Sequence, residues 1–538
     1  PSSNYTLTQP SLTANVTAAP LTITADNVIK ASGTALSSPG AGSTAFSSSG
    51  LIGTETIGSV TINYTSGNAS GDAAGVYSGA VVPSAATGGT FNASNYTITY
   101  VNGDMLVGSF RYAVANGNWN STSVWSTVSG GSAGASVPTA TDFVYIEGSS
   151  RNVTVNISNA ACGSLTVGAA GNATSTLTFA SGSGLTVSGS VTLGQSGVSN
   201  RKGVIDMTSG GTLTCTDLST THTSNTFTAG AGTVVLTSNN SLPSIISSLN
   251  NLTITTGTTT LGANTTLSGA LTINAGGSLN LSSFNCNSFT SLSLEGGAVA
   301  GSSISGSGTL NLGGNITVTN KGTGSAGATM SSPVGLGALR TFNVADDGTS
   351  AIDLTVSGVI SGNATGITKT GAGTMSVTGS NTFTGTLTVN AGTFDVGANN
   401  SLSNNLEVTV NGGTFYYDGK SDAIDTLALI SGTISGTTGV MSAGYYDFRS
   451  GTVSGYLGGS GNMVKTTSGT VTLSGNNTFT GNVTLSAGTL NINSASALGN
   501  GGSLTINGGT INNTSGSAIT STSGNAITIG GDFTFTGS

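Results

Sequence analysis

A chain of 538 residues with 36% hydrophobic side chains can bury a core, but with only 6% charged residues it meets water differently from soluble domains, where about a quarter of residues are charged. Its polar surface must come from Ser, Thr, Asn and 85 Gly, which favour turns and polar strand faces over helices. The net charge of −8, and the absence of a basic run longer than Arg201-Lys202, exclude nucleic acid as a partner, because phosphate binding needs clustered positive charge.

No segment carries a sustained apolar i, i+3, i+4, i+7 stripe, and no apolar run approaches 18 residues, so neither amphipathic helices nor membrane insertion of this segment is expected. Val, Ile, Leu and Phe instead alternate with Thr and Ser, as in Leu271-Thr272-Ile273 and Val471-Thr472-Leu473. That is the pattern of half-buried strands, and it predicts an ordered, all-β protein.

The chain opens with NYTLT at 4–8, which repeats as NYTIT at 95–99, so residues 1–19 read as the end of a preceding module plus a linker. From Pro20 to Ser109 the strands LTITA, GSVTINYT, GVYSGAVVPSA and NYTITYVNGDMLV are separated by turn clusters at β-sandwich spacing. Their order resembles the MBG-type repeat module of bacterial surface adhesins, and the resemblance implies a spacer. Residues 110–151 differ in texture and hold both tryptophans, Trp119 and Trp125. A stack of coils needs a cap over its first apolar layer, and this stretch is assigned that role; the alternative is a tryptophan pair that stacks on sugars.

From Asn152 to the end the grammar is uniform. A Gly-Thr/Ser-apolar phrase begins at Gly373, Gly392, Gly413, Gly432, Gly451, Gly469, Gly488 and Gly509. These steps of 18–21 residues predict a parallel β-helix of about 19–20 residues per coil, some twenty coils forming a rod about 90–100 Å long. The line TGSNTFTGTLTVNAGTFDV at 378–396 returns as SGNNTFTGNVTLSAGTLNI at 474–492, 96 residues later, which is five coils. The stretches 356–396 and 455–492 resemble the autotransporter-associated β-strand repeat through their K-T-G-x-G-T and N-T-F-T-G phrases, the second copy departing at Thr467 and Ser468. That resemblance implies a right-handed parallel β-helix in a secreted or surface-displayed bacterial passenger.

Candidate chemistry is sparse. Asp346, Asp347 and Asp353 share VADDGTSAID, but DDG reads as a turn and completes no calcium-loop spacing. His222 is the single histidine, with no Asp at motif spacing, so a nucleophilic triad fails. Lys30 and Glu55 carry no specific signal for a self-formed isopeptide. Cys162, Cys215 and Cys286 are too far apart for metal pairs and read as small buried hydrophobes at one recurring inward position.

The richest patches are YYDGKSDAID, with Tyr416, Tyr417 and Asp418, and YYDFR, with Tyr445, Tyr446 and Asp447. Aromatic faces beside carboxylates suit glycan contact, although the two patches start at different points of their coils. No metal, cofactor or catalytic group is assigned. The function expected is a structural and adhesive segment at the bacterial cell surface, contacting extracellular polymers or copies of itself as a rod or filament. The alternatives are a polysaccharide-active β-helical enzyme and a glycan- or ice-binding solenoid with threonine rows.

Overall fold

The computed structural model describes residues 18–148, 150–168, 174–194, 201–320, 326–522 and 524–537; the module end expected at residues 1–17 lies outside them. Among the described residues the fold is nearly all β, with one 3-10 turn at Ala93–Asn95. Two compact units are present. One runs through Val114 and includes Ser121–Tyr145 and Ala161–Leu165; the other holds Ala115–Asn120, Ile146–Ala160 and Thr166 onward. The stretch 110–151 contributes to both.

In the first unit, strands β1 (Ala19–Ala25), β2 (Val28–Ala31), β3 (Gly40–Ser43), β4 (Phe46–Ser49), β5 (Ile57–Tyr64), β6 (Gly75–Gly89), β7 (Tyr96–Val101) and β8 (Gly103–Gly108) form two sheets, β4-β1-β7 and β2-β8-β6-β5-β3. Alternation along β1 and β5 buries Leu21, Ile23, Val60 and Ile62, which meet Val81, Met105 and Val107. The first two strands run parallel to the last two, β1 beside β7 with Leu21 opposite Ile98 and β2 beside β8 with Val28 opposite Met105. The same unit holds β9 (Phe110–Ala113), where Ala113 faces Trp125 across an antiparallel pair.

The second unit is a β-solenoid of about 18 turns of roughly 21 residues. Its strands pair in parallel, so each coil lies on the next about 4.8 Å away. One inward column runs Leu252, Leu271, Leu292, Ile316 and Phe342. A second runs Leu354, Met375, Phe394, Phe415, Ile434, Val453, Leu473 and Ile492. All but the half-buried Ile492 are buried, and Phe394 stacks on Phe415 with centroids 6.2 Å apart. The turn is longer than the expected 19–20 because earlier coils carry wider corners: Leu292 to Ile316 takes 24 residues and Ile316 to Phe342 takes 26.

The repeated line is five coils. Leu387, Val408, Leu427, Tyr446, Met463 and Val483 are successive register partners, returning to an equivalent place after 96 residues. The Gly-Thr starts also align, Thr374 to Thr393, Thr414, Thr433 and Thr452, with one departure: Thr452 meets Thr472 instead of Thr470. A slip of two residues keeps Val453 over Leu473 in the core, whereas a slip of one would turn every side chain to the wrong face.

Candidate functional site

Residues 369–392 recur 96 positions on as 465–488, and the two stretches carry the same set of buried polar and aromatic groups. Lys369 lies in an apolar column, with Phe342 in the coil before it and Val389 in the coil after. Its side chain is fully buried, and Nζ donates to the carbonyls of Thr370 and Gly371 at 2.9 Å and of Ala391 at 3.1 Å. Lys465, at the equivalent place, donates to the Thr467 carbonyl and to that of Ala487 at 3.0 Å. In both, an ammonium satisfies corner carbonyls of its own coil and of the next, groups that a buried corner would otherwise leave without partners.

The N-T-F-T-G phrase works in the same way. Asn381 accepts from the Ile360 amide of the preceding coil at 2.7 Å and donates to the Ser401 carbonyl of the following coil at 2.8 Å. Asn477 repeats this between Leu457, at 2.9 Å, and Ala497, at 2.7 Å. Phe383 and Phe479 then fill the core completely. Gly392 and Gly488 both take positive φ, +62° and +72°, and a Cβ at either would stand 2.4 or 2.3 Å from a carbonyl of the coil beneath, so the corner admits only glycine. Each phrase therefore ties three successive coils.

Burial lowers the Lys369 pKa to about 8, against the opposing pull of Asp353. With the ordinary value at 10.5, the unfolded chain holds this proton more tightly than the folded one, so stability rises with pH between about 8 and 10.5 and is flat below that window. Amide exchange around Lys369, followed from pH 8 to 10.5, should show this rise relative to Lys369→Met, which has no group to titrate.

The tyrosine patches divide. Tyr417 and Tyr446 are both fully buried, so these two candidates for glycan contact are core residues. In each Tyr-Tyr pair strand alternation exposes one ring and buries the other. Tyr417 donates to the Tyr456 carbonyl at 3.0 Å. The Tyr446 hydroxyl accepts from the Ala443 amide at 3.0 Å and donates to the Gly458 carbonyl at 2.5 Å, and burial pushes its pKa up to about 12. Tyr446→Phe should cost about 1–3 kcal/mol, the penalty for buried partners left unsatisfied, measurable as a lower urea midpoint.

Tyr416 and Tyr445 remain 37% and 40% exposed but stand in different outward columns. Tyr416 follows Ser376 and Asp395 and precedes Ser435, whereas Tyr445 lies between Thr426 and Asn462. Asp418 accepts from the Thr437 amide at 2.8 Å, and these Thr437 bonds hold its pKa low. Asp447 pairs with Arg449 at 2.8 Å. The expected sites are thus two separate surface positions, Tyr416 with Asp418 and Tyr445 with Asp447.

Asp346, Asp347 and Asp353 do come together, with carboxylate oxygens within 4.8 Å of one another, because the turn at Gly348 folds the chain back. Their oxygens are used by the loop and by the next coil: Asp347 accepts from the Thr349 amide at 2.7 Å, Asp353 from the Thr374 amide of the following strand at 2.8 Å. Three carboxylates are a possible donor set for a hard cation, but the same geometry serves to fasten the loop at 345–353. In the sandwich, the buried Lys30 donates to the Thr34 carbonyl at 2.9 Å and lies 3.9 Å from Asp72, while Glu55 accepts from the Tyr96 hydroxyl, so Lys30 and Glu55 serve different contacts.

Trp119 and Trp125 are buried, 1% and 0% exposed, and present no face to a sugar. Each lies on or beside a strand that borders its sheet: Trp119 follows β10 (Gly117–Asn118), which pairs with the strand Asn152–Val155, and Trp125 opens β11 (Trp125–Ser126). The three cysteines are buried, and none is in a disulfide among the described residues. They do not share one inward position, since Cys215 pairs with Leu236 and Cys286 with Leu310 in a different sheet. Burial raises both of these thiols to about 12.

With this geometry in view, the family comparisons fall on the elements just described. Residues 21–106 match the MBG domain (YGX type), and residues 367–396 and 463–492 match the passenger-associated-transport-repeat. The two passenger matches begin two residues before Lys369 and Lys465 and close four residues after Gly392 and Gly488. They support an adhesin- or autotransporter-type passenger with an MBG module. These are adhesin and passenger repeat types, not enzyme families, and they suggest a secreted or cell-surface protein. No helix among the described residues is long and apolar enough to cross a membrane. No curated protein and no solved structure matches the chain.

Proposed function

We propose that this chain is a structural and adhesive segment of a secreted or surface-displayed bacterial protein, in which the solenoid is a stiff rod for attachment to cell surfaces, to other cells or to copies of itself. The observation that carries this reading is the recurrence, 96 residues apart, of a complete coil-tying set inside a parallel stack. A stack stabilised by neighbour contacts gains length by duplication without needing a new core, which suits reach and stiffness. The outward faces are rich in Thr, Ser and Asn with few charges, so lateral contact meets little electrostatic repulsion.

The partners are extracellular polymers or a second copy of the chain, and the setting is the bacterial cell surface. The experiment is attachment of beads coated with the purified protein to bacterial and host cells, together with sedimentation velocity at increasing concentration. Retention of beads above an albumin-coated control, or concentration-dependent assembly, supports the reading. Failure of both overturns it.

A further inference from the structure

The outer face of the coils around Tyr416 carries a shallow, open cleft. A space of about 400 Å³ is lined by Ile352, Thr374, Thr393, Asp395, Thr414 and Tyr416. The three threonines form its floor, one above another on successive coils, so hydroxyls repeat at the coil spacing of about 4.8 Å. Asp395 and Tyr416 stand in the neighbouring column, again one coil apart. The opposite wall is the apolar side chain of Ile352, 36% exposed, on the loop that Asp353 fastens to Thr374 through both an accepted and a donated backbone bond, at 2.8 and 3.0 Å. The wall is therefore held in place before any ligand arrives, which lowers the cost of binding.

The chemistry of these groups selects a ligand class. Tyr416 offers a ring face, Ile352 an apolar wall, and the threonines both donors and acceptors. Asp395 is partly buried and accepts from the Ser376 hydroxyl at 2.6 Å, leaving acceptor capacity directed at ligand donors. Burial raises the Asp395 pKa, and the rest of the lining is uncharged threonine, isoleucine and tyrosine, so an uncharged donor is the better match. A ligand with apolar ring faces, an edge of hydroxyl groups, no net charge and a repeat comparable to one coil is a neutral oligosaccharide. We propose that the cleft between Ile352 and Tyr416 is a subsite for a neutral hexose or pentose polymer, with Tyr416 as stacking platform and Asp395 as hydroxyl acceptor. This rests on the adhesive reading and gives it a ligand class. Tyr417, Tyr445, Tyr446 and Asp447 have no part in it.

The test uses the whole chain and six defined neutral probes, the malto-, cello-, laminari-, manno-, xylo- and N-acetylchito-hexaoses, by saturation-transfer NMR and calorimetry, with a hexagalacturonate as the charged comparison. At least one neutral hexaose should bind, with the affinity falling ten-fold or more in Tyr416→Ala, retained in Tyr416→Phe, and reduced in Asp395→Asn. Tyr445→Ala, on another face, should bind as the parent does. Circular dichroism of each variant separates a lost subsite from a lost fold, and Tyr416→Phe supplies the check should the alanine variant be misfolded. Absence of binding by all six neutral probes, equal binding by Tyr416→Ala, or binding of the uronate alone overturns the proposal. Attachment of coated beads that persists in Tyr416→Ala while every hexaose fails would sink the subsite and leave the adhesive reading standing.

Discussion

Phe383→Ala is expected to destabilise its coil and the two beside it by about 3–5 kcal/mol, the usual cost of removing a large aromatic from a packed core. Phe383 is fully buried and sits between Asn381 and the strand Thr386–Val389, where the surrounding coils are fixed by backbone ladders and cannot collapse into the space. In a solenoid, stability is close to a sum over neighbours, so the loss should be local. Hydrogen exchange measured at increasing urea should show Ile360–Ser361 and Thr386–Val389 opening early, while distant strands such as Asn251–Ile254 stay as in the parent. Phe479→Ala should reproduce the pattern one repeat later. A uniform loss of protection along the stack, or a change below about 1 kcal/mol, would contradict the neighbour-contact account.

Asn381→Leu should also destabilise these coils, although the side chains have similar volumes. The change leaves the Ile360 amide without the acceptor it has at 2.7 Å and removes one of the two bonds to the Ser401 carbonyl, which keeps the backbone amide of residue 381 at 3.0 Å. A buried unsatisfied group costs about 1–3 kcal/mol, and that is the loss expected. Asn381→Asp separates the two bonds. The carboxylate keeps the acceptor for Ile360 but loses the donor for Ser401, and burial disfavours its charge. Its folded pKa should therefore exceed the unfolded value, so stability is present at low pH and lost as pH rises through the folded pKa. Urea midpoints from pH 4 to 8 should fall for Asn381→Asp and stay level for Asn381→Leu.

Strand alternation, coil length and the five-coil echo were legible because each is a one-dimensional property of the chain. Leu387 to Val483 needed only counting. Wider corners in the earlier coils were not, since 24- and 26-residue steps carry no evenly spaced Gly-Thr start. The lysines show a nearer miss. In Ile367-Thr368-Lys369 the alternation already places Lys369 in phase with the inward Ile367, and Lys465 recurs 96 residues on. A charge on the apolar phase, twice, is a sign of a buried ammonium with carbonyl partners. Asp395 had no such sign, because its cleft exists only once the loop at 345–353 is folded beside the threonine column.

The Tyr-Tyr pairs carry the same lesson in reverse. Composition drew both rings of each pair to one surface, yet the period of two had already assigned Tyr417 and Tyr446 inward. Their hydroxyls reach the Tyr456 and Gly458 carbonyls, so tyrosine there serves packing and corner satisfaction together. For Asp346, Asp347 and Asp353 the DDG turn was legible, but its spacing did not show that the turn brings the three carboxylates within 4.8 Å of one another.

The parallel ladders also set how the solenoid yields to force. Their hydrogen bonds run from coil to coil, so tension applied through the chain ends loads the outermost coil first and peels coils away singly. A released coil of roughly 21 residues stretches to about 70 Å of extended chain, replacing about 4.8 Å of stacked height. The lysine and asparagine ties add bonds between coils at points five coils apart, so a force-extension trace should show unravelling pause there until the pull increases, the tether lengthening in graded increments.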